Sequence, residues 1–366
     1  MESESGDESP QSKAQFLFVT CQVGAEAAVK SELARDRPSF RFAYSRPGFL
    51  TFKLPTNFAA ADDFELQSVF ARSHGFVLGK VIGGDIPARC RAARDLIGDR
   101  RFNTLHVWQR DSAPVGQRGF EPGPTALTDE ARRGLESLAG PAEHPWWFDP
   151  RGPVLDCILV EPHEWWFGFH VIRSISSRWP GGIFHLAEAP SDVISRAYLK
   201  MREALAWSRL PVKRGDTVAE IGSAPGGASQ ALLSRGLKVI GIDPAAMDQR
   251  VLAHPKLMHI QKRGHEVRRR EFRDVRWLTV DINVAPRYTL DTVEAIVTHQ
   301  HVKIEGLLLT LKLLEWKLAA EVPTYMDRVL SWGYKSVAAR QLSHNRQEVC
   351  VAAVREIKPA QRRRRQ

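Results

Sequence analysis

Two stretches of this 366-residue chain hold residues able to do chemistry. The first, AEIGSAPGGASQALLSRGLKVIGIDP (219–244), reads as a strand, a small-residue turn, a helix and a second strand ending in an acid. Such turns hold ligands beyond the carboxyl ends of parallel strands. A dinucleotide fingerprint is broken here, because Ala224 stands at the second glycine and Pro225 interrupts the loop. A triphosphate cradle of the G-x-x-x-x-G-K-[ST] type is also missing. What remains is Glu220 opening the loop, the bend Gly222, Ser223, Ala224, Pro225, Gly226 and Gly227, and Asp243 closing the second strand. That set suits S-adenosylmethionine, whose amino acid end is zwitterionic, whose sulfonium is positive and whose ribose hydroxyls a carboxylate can accept. A tight turn with no ligand is the alternative.

The second stretch, GLLLTLKLL, carries Lys312 among leucines. A lysine deprived of hydration loses basicity and becomes available as a neutral amine. A ribose 2′-hydroxyl needs such a base, together with close placement, to attack a methyl group. Asp281, at the end of WLTVDI, and the possible partners Lys200 in SRAYLK and Glu348 in NRQEVCV complete a candidate catalytic set. Taken singly, Lys200 is also explained as a solvated helix lysine and Glu348 as an edge-strand surface residue. Base amino groups are less suited as targets: no [ND]-P-P-[FY] loop follows WLTVDINVAPR, and no cysteine sits in a Pro-Cys or Thr-Cys loop.

The elements that must position these residues alternate. From residue 190 the patterns predict a helix (191–208), a strand (216–222), a helix (227–235), a strand (237–242) and a strand (276–284). A helix (289–303), a strand (306–313), a helix (315–332) and a closing hairpin, KSVAARQL with EVCVAAV, follow. This is α/β, a Rossmann-like, mostly parallel sheet with a hairpin edge. Before it, QFLFVTCQVGAEAAVKSELARD and RFAYSRPGFLTFKLP predict a strand, a helix and a hairpin, a small α+β module reaching about residue 85. Thr128 is the expected cap of a helix in LTDEARRGLESLAGP, and PVLDCILVEPHEWWFGFHVI predicts two strands around a turn at 161–163. SRWPGGIFHLAEAPSD marks the linker between the halves.

Residues 1–190 hold 21 basic and 24 acidic residues, residues 191–366 hold 31 and 18, so the formal charge of +10 belongs to the second half. That half is expected to face a polyanion, with Arg268, Arg269, Arg270, Arg273 and Arg276 and the terminal QRRRRQ as contributors. Trp146, Trp147, Phe148, Trp165, Trp166, Phe167, Phe169 and Trp179, interleaved with Arg173 and Arg178, offer base-stacking rings, although alternation on a strand assigns half of them to a core. Cys21, Cys90, Cys157 and Cys350 lie far apart, as expected of buried reduced thiols. No clustering of the twelve histidines suggests a metal, and the expectation is none. No apolar run reaches the roughly 20 residues of a membrane span, and the Ser-rich acidic start is not a signal peptide, so a cytoplasmic protein is expected.

With APSDVISRAYLK, EIGSAPGG, VIGID, WLTVDI, LTLKL and RQLSHNRQEV in order, the chain resembles the FtsJ-like RNA 2′-O-ribose methyltransferases. Within them it is similar to the RlmM type, which acts on a cytidine of 23S ribosomal RNA. The resemblance implies a Rossmann-like class I methyltransferase domain (190–357) preceded by an α+β region. That region would comprise a ferredoxin-like module (13–85) and a THUMP-like RNA-binding domain (86–180), with a disordered acidic tail (1–12) and a basic tail (358–366) outside. It implies S-adenosylmethionine as cofactor, RNA (23S ribosomal RNA or a ribosomal precursor) as partner and a monomer as the favoured state. It places a tetrad on Lys200, Asp281, Lys312 (the proton acceptor) and Glu348. Its cofactor site falls on Ala224, Pro225, Gly226, Gly227, Asp243 and Asp281, in the loop that Gly222 and Ser223 open. Ala197 stands where the family has a serine, Arg263 at or beside an aspartate near the adenine, and Leu314 where a proline follows the lysine. Ala197 and Arg263 motivate an alternative, a noncatalytic RNA-binding protein that keeps the fold; a nicotinamide-linked oxidoreductase is a third reading.

Overall fold

The computed structural model describes residues 16–58, 64–138, 152–186 and 190–355. The tails expected at 1–12 and 358–366, and the rings of Trp146, Trp147 and Phe148, lie outside the described residues.

The N-terminal lobe is one seven-stranded sheet. Its elements are β1 (Phe16–Thr20), α1 (Glu26–Asp36), β2 (Arg41–Arg46), β3 (Phe49–Lys53), β4 (Ser73–Ile82), α2 (Ile86–Ile97), β5 (Thr104–Gln109), α3 (Ala126–Leu135), β6 (Pro153–Glu161) and β7 (Glu164–Val171). The strand order is β2-β3-β1-β4-β7-β6-β5. The expected module boundary at 85/86 falls in the turn after β4, and strands from both sides of it share this sheet through the β4–β7 pairing. Alternation sends Trp165 and Phe167 wholly into the core under α2 and α3, so these two rings cannot stack on bases. Trp166, on the other face, stacks on Tyr44 at 5.5 Å with Lys80 over its ring. The cap of α3 is Thr125 rather than Thr128: each threonine side chain bonds the other's backbone N–H, a reciprocal capping box that starts the helix three residues earlier.

The C-terminal lobe is α/β. Here α4 (Ala197–Ser208) precedes β8 (Thr217–Ile221), α5 (Gly227–Ser234), β9 (Lys238–Ile242), α6 (Gln249–Leu252) and β10 (Leu257–Ile260). Then come β11 (Trp277–Val280), α7 (Pro286–Val297), β12 (Gly306–Lys312), α8 (Val322–Ser331), β13 (Ser336–Arg340) and β14 (Glu348–Val354). The order is β10-β9-β8-β11-β12-β14-β13, with β14 alone running against the rest and pairing antiparallel with β12 on one side and β13 on the other. Helix α7 begins at Pro286, whose fixed φ and missing N–H suit the first turn, and ends at Val297, earlier than the expected 289–303. The single helix expected over 315–332 divides into a 3₁₀ segment, Trp316–Glu321, and α8.

The lobes share a core in which Val29, Phe70 and Leu66 belong to the same apolar cluster as Ile296, Leu309 and Val351. Across the junction Arg340 donates to the carbonyls of Ala71 and Arg72, Gln341 N–H to Val69 O, and Gln22 Nε2 to Leu342 O and Asn345 O. Arg72, itself buried, holds Asp111 through two bonds of 2.7 and 2.9 Å. Among the described residues no helix is long and apolar enough to cross a membrane. All four cysteines are buried free thiols, and burial raises the pKa of each.

Candidate active site

The small-residue turn lies where β8 meets α5. Gly222 has φ +86, and a Cβ there would stand 2.2 Å from Asp281 O, so glycine is what lets the ends of β8 and β11 close together. Gly226, at φ +117, precedes the first residue of α5, Gly227. The Ala224–Pro225 peptide, between Gly222 and Gly226, is cis. Asp243, one residue past β9, accepts from the N–H groups of Ala224 (3.2 Å) and Ala245 (2.8 Å), which orients its carboxylate beside the turn. Ser223 is buried against Met247. The Oγ of Ser195 is buried with no hydrogen-bond partner and lies where a Cβ on Gly227 would be, at 2.1 Å.

These features fit S-adenosylmethionine: a turn of small residues with three glycines, an oriented carboxylate at the second strand's end, and an orphaned hydroxyl beside the helix start. A small cavity of about 30 Å³ lies between α4 and the sheet, lined by Ala197, Lys200, Glu220, Asp281, Thr310 and Asn345 among others. Glu220 is buried and accepts from Ser229 Oγ. Burial pushes its pKa up to about 8; the Ser229 bond opposes this, and the charges of Asp281 and Asp243 add to it.

Four remote charged side chains meet at the mouth of this cavity. Lys200 Nζ lies 2.6 Å from Asp281 Oδ2 and 2.6 Å from Glu348 Oε1. Lys312 Nζ lies 2.8 Å from Asp281 Oδ1 and makes a short contact to Glu348 Oε2. Each lysine thus bridges both carboxylates, and each carboxylate gives one oxygen to each lysine. Sheet register explains half of this, because Lys312 and Glu348 are the last partners of the β12–β14 ladder. Asp281 follows β11, next to β12, and Lys200 descends from α4 above. The neighbours of Lys312 differ from those expected. Strand alternation turns Leu311 and Leu313 into the core, while Lys312 shares the other face with Thr310, which lines the cavity. Carboxylates, not leucines, surround its amine.

Burial depresses the basicity of Lys200, yet the charges of Asp281 and Glu348 outweigh it and its pKa is raised. Burial likewise favours a neutral Glu348, but Lys200 and Lys312 overcome it and hold that carboxyl well below its usual range.

Supporting residues escaped the sequence reading. Glu203, one turn beyond Lys200, is buried and accepts from Ser343 N–H (2.8 Å), Ser343 Oγ (2.9 Å) and His344 N–H (2.9 Å), holding the loop that leads to Glu348. Asn345 Nδ2 donates to Glu348 Oε1 at 3.1 Å. Ala197 lines the cavity as the first residue of α4. Arg263 is exposed beyond β10, its N–H bound to Glu266. Leu314 is exposed just after Lys312 and Leu313. In the basic segment, Arg276 is engaged by Asp216 and Glu305, Arg269 by the carbonyls of Ala295 and Val267, and Arg270 by Glu271; Arg268 and Arg273 are exposed.

Residues 193–352 match the family model described as FtsJ-like methyltransferase. The ribosomal RNA large subunit methyltransferase M of Azotobacter vinelandii is 32% identical over 228 residues, covering 58% of this chain and 62% of that protein. Its namesake in Tolumonas auensis is 28% identical over 232 residues, 59% of this chain and 60% of that one. In Alkalilimnicola ehrlichii the figures are 29% over 267 residues, 68% and 67%. The chain therefore spans about three-fifths of the length of the first two relatives. The C-terminal lobe has the Rossmann-like fold of FtsJ-like methyltransferases and is similar, at modest identity, to the bacterial large-subunit ribosomal RNA methyltransferases M.

Proposed function

We propose that this protein methylates a ribose 2′-hydroxyl of RNA, in 23S ribosomal RNA or its precursor and at a cytidine, with S-adenosylmethionine as donor. The observation that carries the reading is the reciprocal two-lysine, two-carboxylate cluster beside the glycine turn. The relatives' printed names support the class of RNA, and the excess of basic residues in 191–366 suits a polyanionic partner.

Gly222, Ser223, Ala224, Pro225, Gly226 and Gly227 would hold the donor's amino acid end, with Asp243 accepting from its ribose hydroxyls and Asp281 closing the far side. When bound, the donor supplies a methyl group on a sulfonium, which leaves as a neutral thioether. Lys312 accepts the hydroxyl proton as the oxygen becomes nucleophilic. Lys200, kept cationic by its two carboxylates, stabilises the charge growing on that oxygen. Asn345 and Glu203 keep Glu348 and its loop in place, so little reorganisation accompanies the transfer.

The test is ribose-methylation mapping of ribosomal RNA from cells with and without the gene, together with calorimetry. One lost 2′-O-methyl position, restored by the parent but not by Lys312→Ala, is the expected result. An unchanged map, with no S-adenosylmethionine binding at millimolar concentration, would favour a noncatalytic RNA-binding protein.

A further inference from the structure

A second cluster of chemically able side chains lies in the other lobe. His106 on β5, Asp156 on β6 and His170 on β7 project from three adjacent strands onto one face of the N-terminal sheet. His106 and Asp156 are register partners, and Asp156 faces Gly168, two residues before His170. The opposite face is apolar, with Leu105, Val107, Leu155, Cys157 and Phe167 in its core. All three polar residues are buried, with exposures of 0%, 0% and 5%. One ligating atom from each lies within 4.8 Å of the others.

Hydrogen positions follow from the neighbours. His170 Nε2 is 2.8 Å from Ser177 O, an acceptor only, so this nitrogen carries a hydrogen. Its other nitrogen, Nδ1, faces Asp156 Oδ2 at 2.5 Å, a separation that a shared proton fills. A proton serves His170 and Asp156 alone. Neither ring nitrogen of His106 has a hydrogen-bond partner, and its Nδ1 is 3.8 Å from Asp156 Oδ1, beyond hydrogen-bond range. Leaving a buried donor or acceptor unmet is destabilising. A cation held by the three residues occupies the lone pair of His106 as well, and Ser177 O already fixes the tautomer that frees Nδ1 of His170 to bind it.

We propose that His106, Asp156 and His170 bind one divalent transition metal ion, zinc by preference, as a structural site distinct from the methyl-transfer cluster. Two imidazoles and a carboxylate, without thiolate, suit zinc or cobalt. Binding draws His106 inward and opens the His170–Asp156 contact, so that all three donors reach the usual distance of about 2.0–2.2 Å from one centre. Ser177 lies in the 3₁₀ turn Ser176–Arg178, on the way out of the N-terminal sheet. The ion would therefore fasten that exit segment to the sheet. The sequence reading expected no metal, since the three ligands stand 50 and 14 residues apart and only strand pairing unites them.

The test is elemental analysis of the full-length protein purified without chelator, followed by cobalt loading and visible spectroscopy. The expected result is on the order of one zinc per chain. Zinc should be lost in His106→Asn and in Asp156→Asn and retained in Lys312→Ala, and cobalt should give d–d bands in the parent. Should the two variants fail to fold, the parent still decides: chelation should lower its melting temperature and zinc should restore it. Absence of zinc as isolated, with no cobalt spectrum after loading, would overturn the site, as would full metal content in folded His106→Asn.

Discussion

Lys312→Ala leaves Asp281 and Glu348 with Lys200 as their only ammonium partner in the cluster. Single-turnover methyl transfer is expected to fall about 10²–10⁴-fold, while calorimetry shows donor affinity changed no more than a few-fold; transfer at the parent's rate would remove Lys312 from the chemistry. Glu220 gives a pH prediction. Its pKa is about 8 in the folded chain against an ordinary 4.5, so between those values the folded protein keeps a proton that the unfolded chain has released. The stability this contributes is complete below pH 4.5 and drains away as pH rises toward 8. Melting temperatures of Glu220→Gln should accordingly fall less than the parent's between pH 5 and 8. The charged residues of the cluster were legible in the sequence because each sits in a recognisable stretch. Glu203 and Asn345 were not, since what they hold is a loop: the partners of Glu203 are two N–H groups and a hydroxyl some 140 positions away.

Elements set the geometry that these residues share. Gly222→Ala would force a methyl group onto Asp281 O in a backbone conformation that alanine resists. A loss of about 1–3 kcal/mol, read by denaturant melts, and weakened donor binding, read by calorimetry, are the expected outcomes. The apolar runs of β6, β7 and β12 and the β8–α5 turn could be read in advance. The short edge strand β10, four partly exposed residues without alternation, could not, and neither could α6, a single turn capped by Asp248. The surroundings of Lys312 were misjudged for a related reason: a run of leucines in sequence says nothing of which face each one takes until the strand's period of two is applied.

At the scale of the whole molecule, Arg72 and Asp111 form an ion pair that is almost fully buried. Asp111→Ala strands the guanidinium, so a stability loss of about 3–5 kcal/mol is expected in thermal or denaturant melts. RNA affinity should decline linearly on a logarithmic salt scale, measured by filter binding, if the basic surplus of the second half meets phosphates. The union of both N-terminal segments in one sheet was hidden from local patterns, because the β4–β7 pairing joins residues about ninety positions apart. The segment from Arg340 to Asn345 has a double allegiance. Its first residues clasp the N-terminal lobe and its last steadies Glu348, with only two positions between Asn345 and that carboxylate. The path from the N-terminal lobe to the Glu348 carboxylate is thus one short run of backbone, pinned at both ends.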